Sequence, residues 1–138
     1  MPPVPPEPDA AADRIRVKRI YRAARVSDGK RVLVDRLWPR GLSKDRARLH
    51  SWCRDIAPSD ALRRWYHAHP DQWDGFAARY RDELALKGDL ARDLAALAAE
   101  GVLTLLYAST AEERNNAIVL RDHLRHRLEE MGDADARP

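Results

Sequence analysis

Cysteine is nearly absent from this chain: Cys53 is the only one. That excludes an intramolecular disulfide and favours a reducing, cytoplasmic setting. Long apolar runs are missing too, and none approaches the roughly 20 residues that a membrane helix needs. The N-terminus has no basic region leading into an apolar stretch, so no secretory signal is read there and no membrane contact is expected. There is no Gly-rich phosphate loop, no dinucleotide fingerprint and no serine on a nucleophile elbow. ATP hydrolysis, hydride transfer and α/β-hydrolase chemistry therefore find no support. Cys53 follows Trp52 in an apolar context without a histidine partner and reads as an inert thiol. His67-x-His69 and His123-x-x-His126 lack a third ligand nearby, so neither a metal nor another cofactor is expected.

Lysine is scarce as well, with 4 against 21 arginines. A bias of that kind can follow from genome composition alone. Its placement is more informative. Residues 14–64 hold 16 Lys/Arg against 5 Asp/Glu, whereas residues 65–138 hold 9 against 14. A basic first half could form a surface for phosphates, or the two halves could neutralise each other once folded.

What is present is enough for one domain with a real core: 138 residues, 44% of them hydrophobic. Residues 1–13 hold five of the nine prolines and little to bury, and read as a disordered leader. Residues 14–130 form the domain and residues 131–138 a flexible tail. Ile15, Val17 and Ile20 predict a strand over 15–21. Asp28-Gly29 predicts a turn before a second strand, Val32-Leu33-Val34, with either a hairpin-like return or a short parallel crossover between them. Residues 49–56 predict a third strand or an extended segment. Ser59 caps a helix carrying Leu62, Trp65 and Tyr66, and His69-Pro70 ends it. Trp73, Phe76, Ala77, Tyr80 and Leu84 then share a helical face, with Gly88 as the stop. Asp89 caps a further helix with Leu90, Leu94 and Leu97. Residues 102–107 form the clearest strand, and Thr110-x-x-Glu113 matches a capping box for a last helix bearing Ala117, Leu120, Leu124 and Leu128. The expected class is α/β: a small, mostly parallel sheet covered by helices on both faces, in a single domain.

Two loops concentrate chemistry. The strand ending at Val34 runs into Asp35, Arg36, Trp38 and Arg40 before Gly41. Two guanidinium forks suit phosphate or carboxylate, Trp38 can stack on a flat ligand, and Asp35 is a candidate general base. A buried Asp–Arg brace with Trp38 in the core is the structural alternative. Gly41 reads as turn geometry and Ser43 as a helix cap. The strand ending at Tyr107 runs into Ser109, Thr110, Asn115 and Asn116, where a helix start would favour an anion. If both strands are parallel, the two loops leave on the same side and form one crevice.

The run Arg31-Val-Leu-Val-Asp-Arg-Leu-Trp-Pro-Arg-Gly-Leu-Ser-Lys44 also carries a resemblance. With Trp52, Ala57-Pro58-Ser59, Arg64-Trp65, Phe76, Tyr80, Thr104-Leu-Leu-Tyr107 and Asn115-Asn116, it resembles the YeaO-like branch of the bacterial domain of unknown function 488. The resemblance covers roughly residues 15–128 and implies a small α/β domain, with no reaction or cofactor attached. Ala108-Ser109-Thr110 departs from the pattern, since relatives often place a lysine and an acid there.

The functional expectation is a small anionic ligand, a nucleotide or phosphate ester, held between the loops 35–41 and 107–116. Arg36, Trp38, Arg40, Tyr107, Asn115 and Asn116 would hold the ligand. Asp35 would be the base if there is catalysis. The alternatives are a nucleic-acid-binding module that uses the basic half, or a structural or interaction domain without a ligand. Oligomeric state is not legible.

Overall fold

The computed structural model describes residues 11–136, with side chains through Glu130. Four parallel strands form one sheet: β1 (Ile15–Arg19), β2 (Lys30–Leu33), β3 (Ser51–Trp52) and β4 (Leu103–Tyr107), in the order β1-β4-β2-β3. The helices are α1 (Lys44–Ala47), α2 (Asp60–Ala68), α3 (Trp73–Ala85), α4 (Gly88–Glu100) and α5 (Asn116–Ala136). No helix among the described residues is long and apolar enough to cross a membrane.

β4 is the strand with the strongest apolar run, and it takes the most buried place, with all five residues inaccessible. It pairs with β1 from Ile15↔Leu103 to Arg19↔Tyr107, and with β2 from Lys30↔Leu103 to Leu33↔Leu106. A hairpin between the first two strands therefore does not form. They run parallel, and the later-arriving β4 separates them. The return between them, residues 20–29, is short but can reach, because an extended chain covers up to about 3.5 Å per residue. It ends at Gly29, whose φ is +61° and where a Cβ would meet the Val102 carbonyl oxygen at 2.2 Å. Only glycine fits that turn.

Strand alternation divides the core in two. Ile15, Val32, Val34, Leu103, Leu105 and Tyr107 face the long helices α2 to α5. Ile20, Leu33 and Leu106 face the other way, where Ala47 of the one-turn α1, Trp38, Leu42 and Trp52 cover them. Both faces are thus covered, one by four helices and the other by α1 and its flanking loops.

Ser59 caps α2 as expected, its Oγ accepting from Leu62 N at 3.1 Å. Glu83 on α3 secures that cap by accepting from Ser59 N and Oγ at 2.7 and 2.6 Å. The aromatic residues of α2 and α3 are core contacts. Tyr66 stacks on Phe76 at 4.5 Å, Trp73 on Phe76 at 5.6 Å, and the buried Tyr80 hydroxyl donates to Ile56 O at 2.6 Å.

Several boundaries differ from expectation. Gly88 is the first residue of α4 rather than the stop of α3, which already ends at Ala85. Asp89 lies in the first turn of α4 and pairs with Arg92 instead of capping. Residues 49–56 contain only the two-residue β3 and a 3-10 turn over Arg54–Ile56. The expected leader falls outside the described residues up to residue 10. From Ala11 to Arg14 the chain is a 3-10 turn with Ala12 buried and its carbonyl held by Arg125. α5 runs on through most of the expected tail.

Candidate functional site

β2 and β4 are parallel neighbours, so their carboxyl ends open on the same side. The ladder continues one residue past β2, with Val34 N donating to Leu106 O at 3.1 Å. Asp35 follows, and its carboxylate joins the two loops. Oδ2 accepts from Ala108 N at 2.9 Å and Oδ1 from Asn116 Nδ2 at 3.1 Å. The same Asn116 amide donates to Val34 O at 3.0 Å, and Trp52 Nε1 donates to Asp35 O at 2.7 Å. Burial pushes the Asp35 pKa above its ordinary value, against the pull of the Ala108 and Asn116 donors. Asp35 is a brace between β2, β4 and the start of α5, with both oxygens occupied.

The remaining residues of these loops divide between support and surface. Trp38 donates to Leu42 O at 2.7 Å and meets Trp52 edge-on, ring centroids 5.4 Å apart, as part of the α1-side core. Gly41 turns the chain with φ +72°, and Ser43 caps α1 through Arg46 N at 3.2 Å. Tyr107 is buried, which raises its phenol pKa. Asn115 is also buried. Its Oδ1 accepts from Ile118 N at 3.1 Å, while its Nδ2 donates to Ala111 O and Glu112 O at 2.9 and 3.2 Å. Asn115 therefore caps α5, and the region 110–113 that matched a capping box is a bend ahead of the helix. Arg40 is exposed, with its carbonyl accepting from the Tyr21 hydroxyl at 2.8 Å. Arg36 is half-buried, and its Nε donates to Pro58 O at 3.3 Å. The loops thus converge, but the asparagines point at Asp35 and at their own loop. Among the described residues neither Arg36 nor Arg40 hydrogen-bonds them.

Arg36 instead opens toward the β3 side. There a groove of about 460 Å³ is lined by Arg36, Trp52, Cys53, Arg54, Asp55 and Leu90. The Arg54 guanidinium lies over the Trp52 ring at 4.7 Å. Burial, together with nearby Asp55, raises the Cys53 pKa, which favours the protonated thiol at neutral pH. The sequence reading missed Arg54 and Asp55. The available signal was a Trp followed two residues later by an Arg-Asp pair, just ahead of the Ala57-Pro58-Ser59 helix start.

Residues 14–138 match a family model described as the inactive DUF488-N3 subclade. The chain belongs to the DUF488 family. An uncharacterised protein of Mycobacterium tuberculosis strain H37Rv is 45% identical to this DUF488 chain over 114 residues, 83% of this chain and 96% of that protein. An uncharacterised protein of Mycobacterium bovis shows the same identity and coverage. The uncharacterised protein YeaO of Escherichia coli K12 is 42% identical over 111 residues, 80% of this chain and 96% of its own length. No solved structure matches.

Three histidines of this DUF488 domain have defined neighbours. His69 stacks on Trp65 at 4.9 Å and contacts its carbonyl through Nδ1 at 2.8 Å. His123 is half-buried with its pKa lowered by burial and by Arg127, and exposed His126 lies 3.1 Å from Glu130. Among the described residues no group of three or more His, Cys, Asp and Glu side chains could hold a metal ion.

Proposed function

We propose that this DUF488 domain binds a small anionic ligand of mononucleotide size in the groove between Arg36 and Arg54, and that it binds without turning the ligand over. The observation that carries the reading is the lining itself: Arg36 and Arg54 share a groove of about 460 Å³ with Trp52, and the Arg54 guanidinium lies over its ring. That size falls in the range of small-molecule sites, roughly 300–1,000 Å³. Arg36 and Arg54 supply the forks that suit a phosphate, and Leu90 with the edge of Trp52 supplies apolar surface beside them. Asp55 on the same rim disfavours a bare polyanion and favours a ligand that also offers a hydrogen-bond donor, as a nucleobase or a ribose does. This places the anion on the far side of Arg36 from the asparagines, with Asn115, Asn116 and Asp35 as support.

Binding without turnover is supported by the description of the family model as inactive and by the state of two nearby groups, Asp35 and Cys53. Asp35 has both oxygens committed, and Cys53 is held as a thiol. The single, partly buried cysteine accords with a reducing, cytoplasmic setting.

A thermal-shift screen with inorganic phosphate and the common nucleoside monophosphates tests the reading. A ligand at a hundred times its Kd adds about 2.7 kcal/mol of stability. That is several degrees in Tm for a domain of this size. The expected result is a shift with at least one monophosphate in the wild type that is lost in an Arg36→Ala, Arg54→Ala double variant. Equal responses from the two proteins across the whole panel would overturn it.

A further inference from the structure

The charge asymmetry of the sequence becomes a difference between the two sides of the fold. Of the sixteen Lys and Arg side chains in residues 14–64, six lie within 4 Å of an acid among the described residues: Lys18, Arg22, Lys30, Arg31, Arg63 and Arg64. Only two of these reach across to the acid-rich second half, Arg22 to Glu112 and Lys30 to Glu100. Direct ion pairing between the two halves is therefore sparse among the described residues. Acid-rich α3, α4 and α5 pack on one face of the sheet, while the other face carries only α1 and its loops.

That thinly covered face carries more basic than acidic side chains. Arg40, Lys44, Arg46 and Arg48 are all exposed in the span 40–48, against Asp45 alone, and none has an acid partner within 4 Å among the described residues. Beneath α1, Arg31 is 4% exposed, and its Nε donates to Ala47 O at 3.0 Å. Arg31 and Lys18 share the single carboxylate of Asp28, so the sheet under α1 also carries excess positive charge. One Arg31 nitrogen, Nη2, is buried without a partner. Arg16, exposed and two residues before Lys18 on the same side of β1, extends the surface.

Arg48 adds a local observation. It ends α1 in the left-handed conformation, φ 47° and ψ 53°, where glycine is the relaxed residue and any side chain is disfavoured. A charged side chain thus sits at the turn that most favours having none, at the end of the basic span.

We propose that the α1 face is a docking surface for the phosphodiester backbone of nucleic acid, with Arg40, Lys44, Arg46 and Arg48 as its contacts. Recognition is electrostatic and independent of base sequence, because the span offers cations without a recognition helix. The acid-rich helices on the opposite face orient the domain by repelling the same polymer. This surface is separate from the Arg36–Arg54 groove and does not depend on a ligand there.

Fluorescence anisotropy with a labelled 20-base-pair DNA duplex and its single strand, over a range of salt, is the test. The wild type is expected to bind with Kd of about 10⁻⁶ M or tighter at 50 mM salt, weakening steeply as salt rises. A Lys44→Ala, Arg46→Ala, Arg48→Gly variant should lose about tenfold or more at low salt and flatten the duplex salt slope by roughly 2 to 3. The glycine relieves the left-handed turn, so thermal melts should show this variant folded. A charge-matched variant, Arg64→Ala, Arg81→Ala, Arg92→Ala, removes three charges from the helical side and should stay within about twofold, since screening at 50 mM salt limits their reach to about 14 Å. The proposal is overturned if wild type binds neither probe, or if the two triple variants weaken equally. It is also overturned if vesicles containing phosphatidylserine bind as tightly as DNA.

Discussion

Asp35 shows how much of the site rests on one side chain. Its two oxygens accept from a main-chain amide at the end of β4 and from an amide side chain at the start of α5, while its own carbonyl accepts from the Trp52 indole. Asp35, at the end of an apolar strand and ahead of Trp38-Pro39-Arg40-Gly41, was legible in the sequence as important. Its partners were not, because Ala108 and Asn116 lie 73 and 81 residues away along the chain. The sequence pattern suggested an Asp–Arg brace, but the donors are amides, and both neighbouring arginines turn elsewhere. An Asp35→Asn substitution keeps the shape and turns one acceptor into a donor facing a donor. Burial penalises the ionised acid, which argues mildly in favour of the amide. An unmet buried donor costs about 1–3 kcal/mol, so the hydrogen bonds win. Urea melts should therefore show Asp35→Asn less stable by roughly that amount. A variant as stable as the wild type would mean the carboxylate is not the brace.

At the scale of the element, helices were easier to find than their ends. The apolar spacing of α3, α4 and α5 is local information and needs no partner to be read. Their boundaries depend on what comes next in space. The last helix begins at Asn116 rather than after Thr110, because two tertiary constraints fix its start: Asn115 must reach forward to Ile118 N and back to the loop, and Asn116 must reach Asp35. A carboxamide has a donor and an acceptor end and can serve both directions at once, which a threonine hydroxyl in this position does less well. Similarly, Gly88 starts α4 because the chain has already turned at Leu86 and Lys87, with Lys87 Nζ donating to Ala57 O at 3.1 Å. A substitution series separates the two candidate caps of α5. Asn115→Ala should cost about 1–2 kcal/mol, as the loss of a helix cap does. Thr110→Ala and Glu113→Ala, both exposed, should stay within about 0.5 kcal/mol. The reverse order in thermal melts would reinstate the capping box.

For the whole molecule, strand order is what the sequence could not convey. β4 enters between β1 and β2 from some 70 residues further on, and no local pattern encodes which neighbour a buried strand will take. The junction is held by Asp28, which is why its ionisation should report on the entire sheet. Its carboxylate bonds Lys18 from β1 at 3.0 Å, Arg31 from β2 at 2.6 Å and the Arg25 amide at 3.0 Å, while its carbonyl accepts from Thr104 of β4 at 2.7 Å. Burial alone would raise the Asp28 pKa, but the Arg25 amide, Lys18 and Arg31 together hold it below the ordinary value. A carboxylate with a depressed folded pKa contributes stability that is fully present above its unfolded pKa, about 3.9, and is lost as pH falls through the lower folded value. Asp28→Asn removes that contribution at every pH and leaves two largely buried cations without their anion, a loss of about 3 kcal/mol. The stability gap between wild type and Asp28→Asn should therefore be wide and flat from about pH 5 to pH 8, then close below about pH 4 as the wild-type carboxylate takes up its proton. Urea melts of both proteins at a series of pH values measure it. A gap that persisted undiminished at about pH 2 would show that the sheet is held at Asp28 by shape rather than by charge.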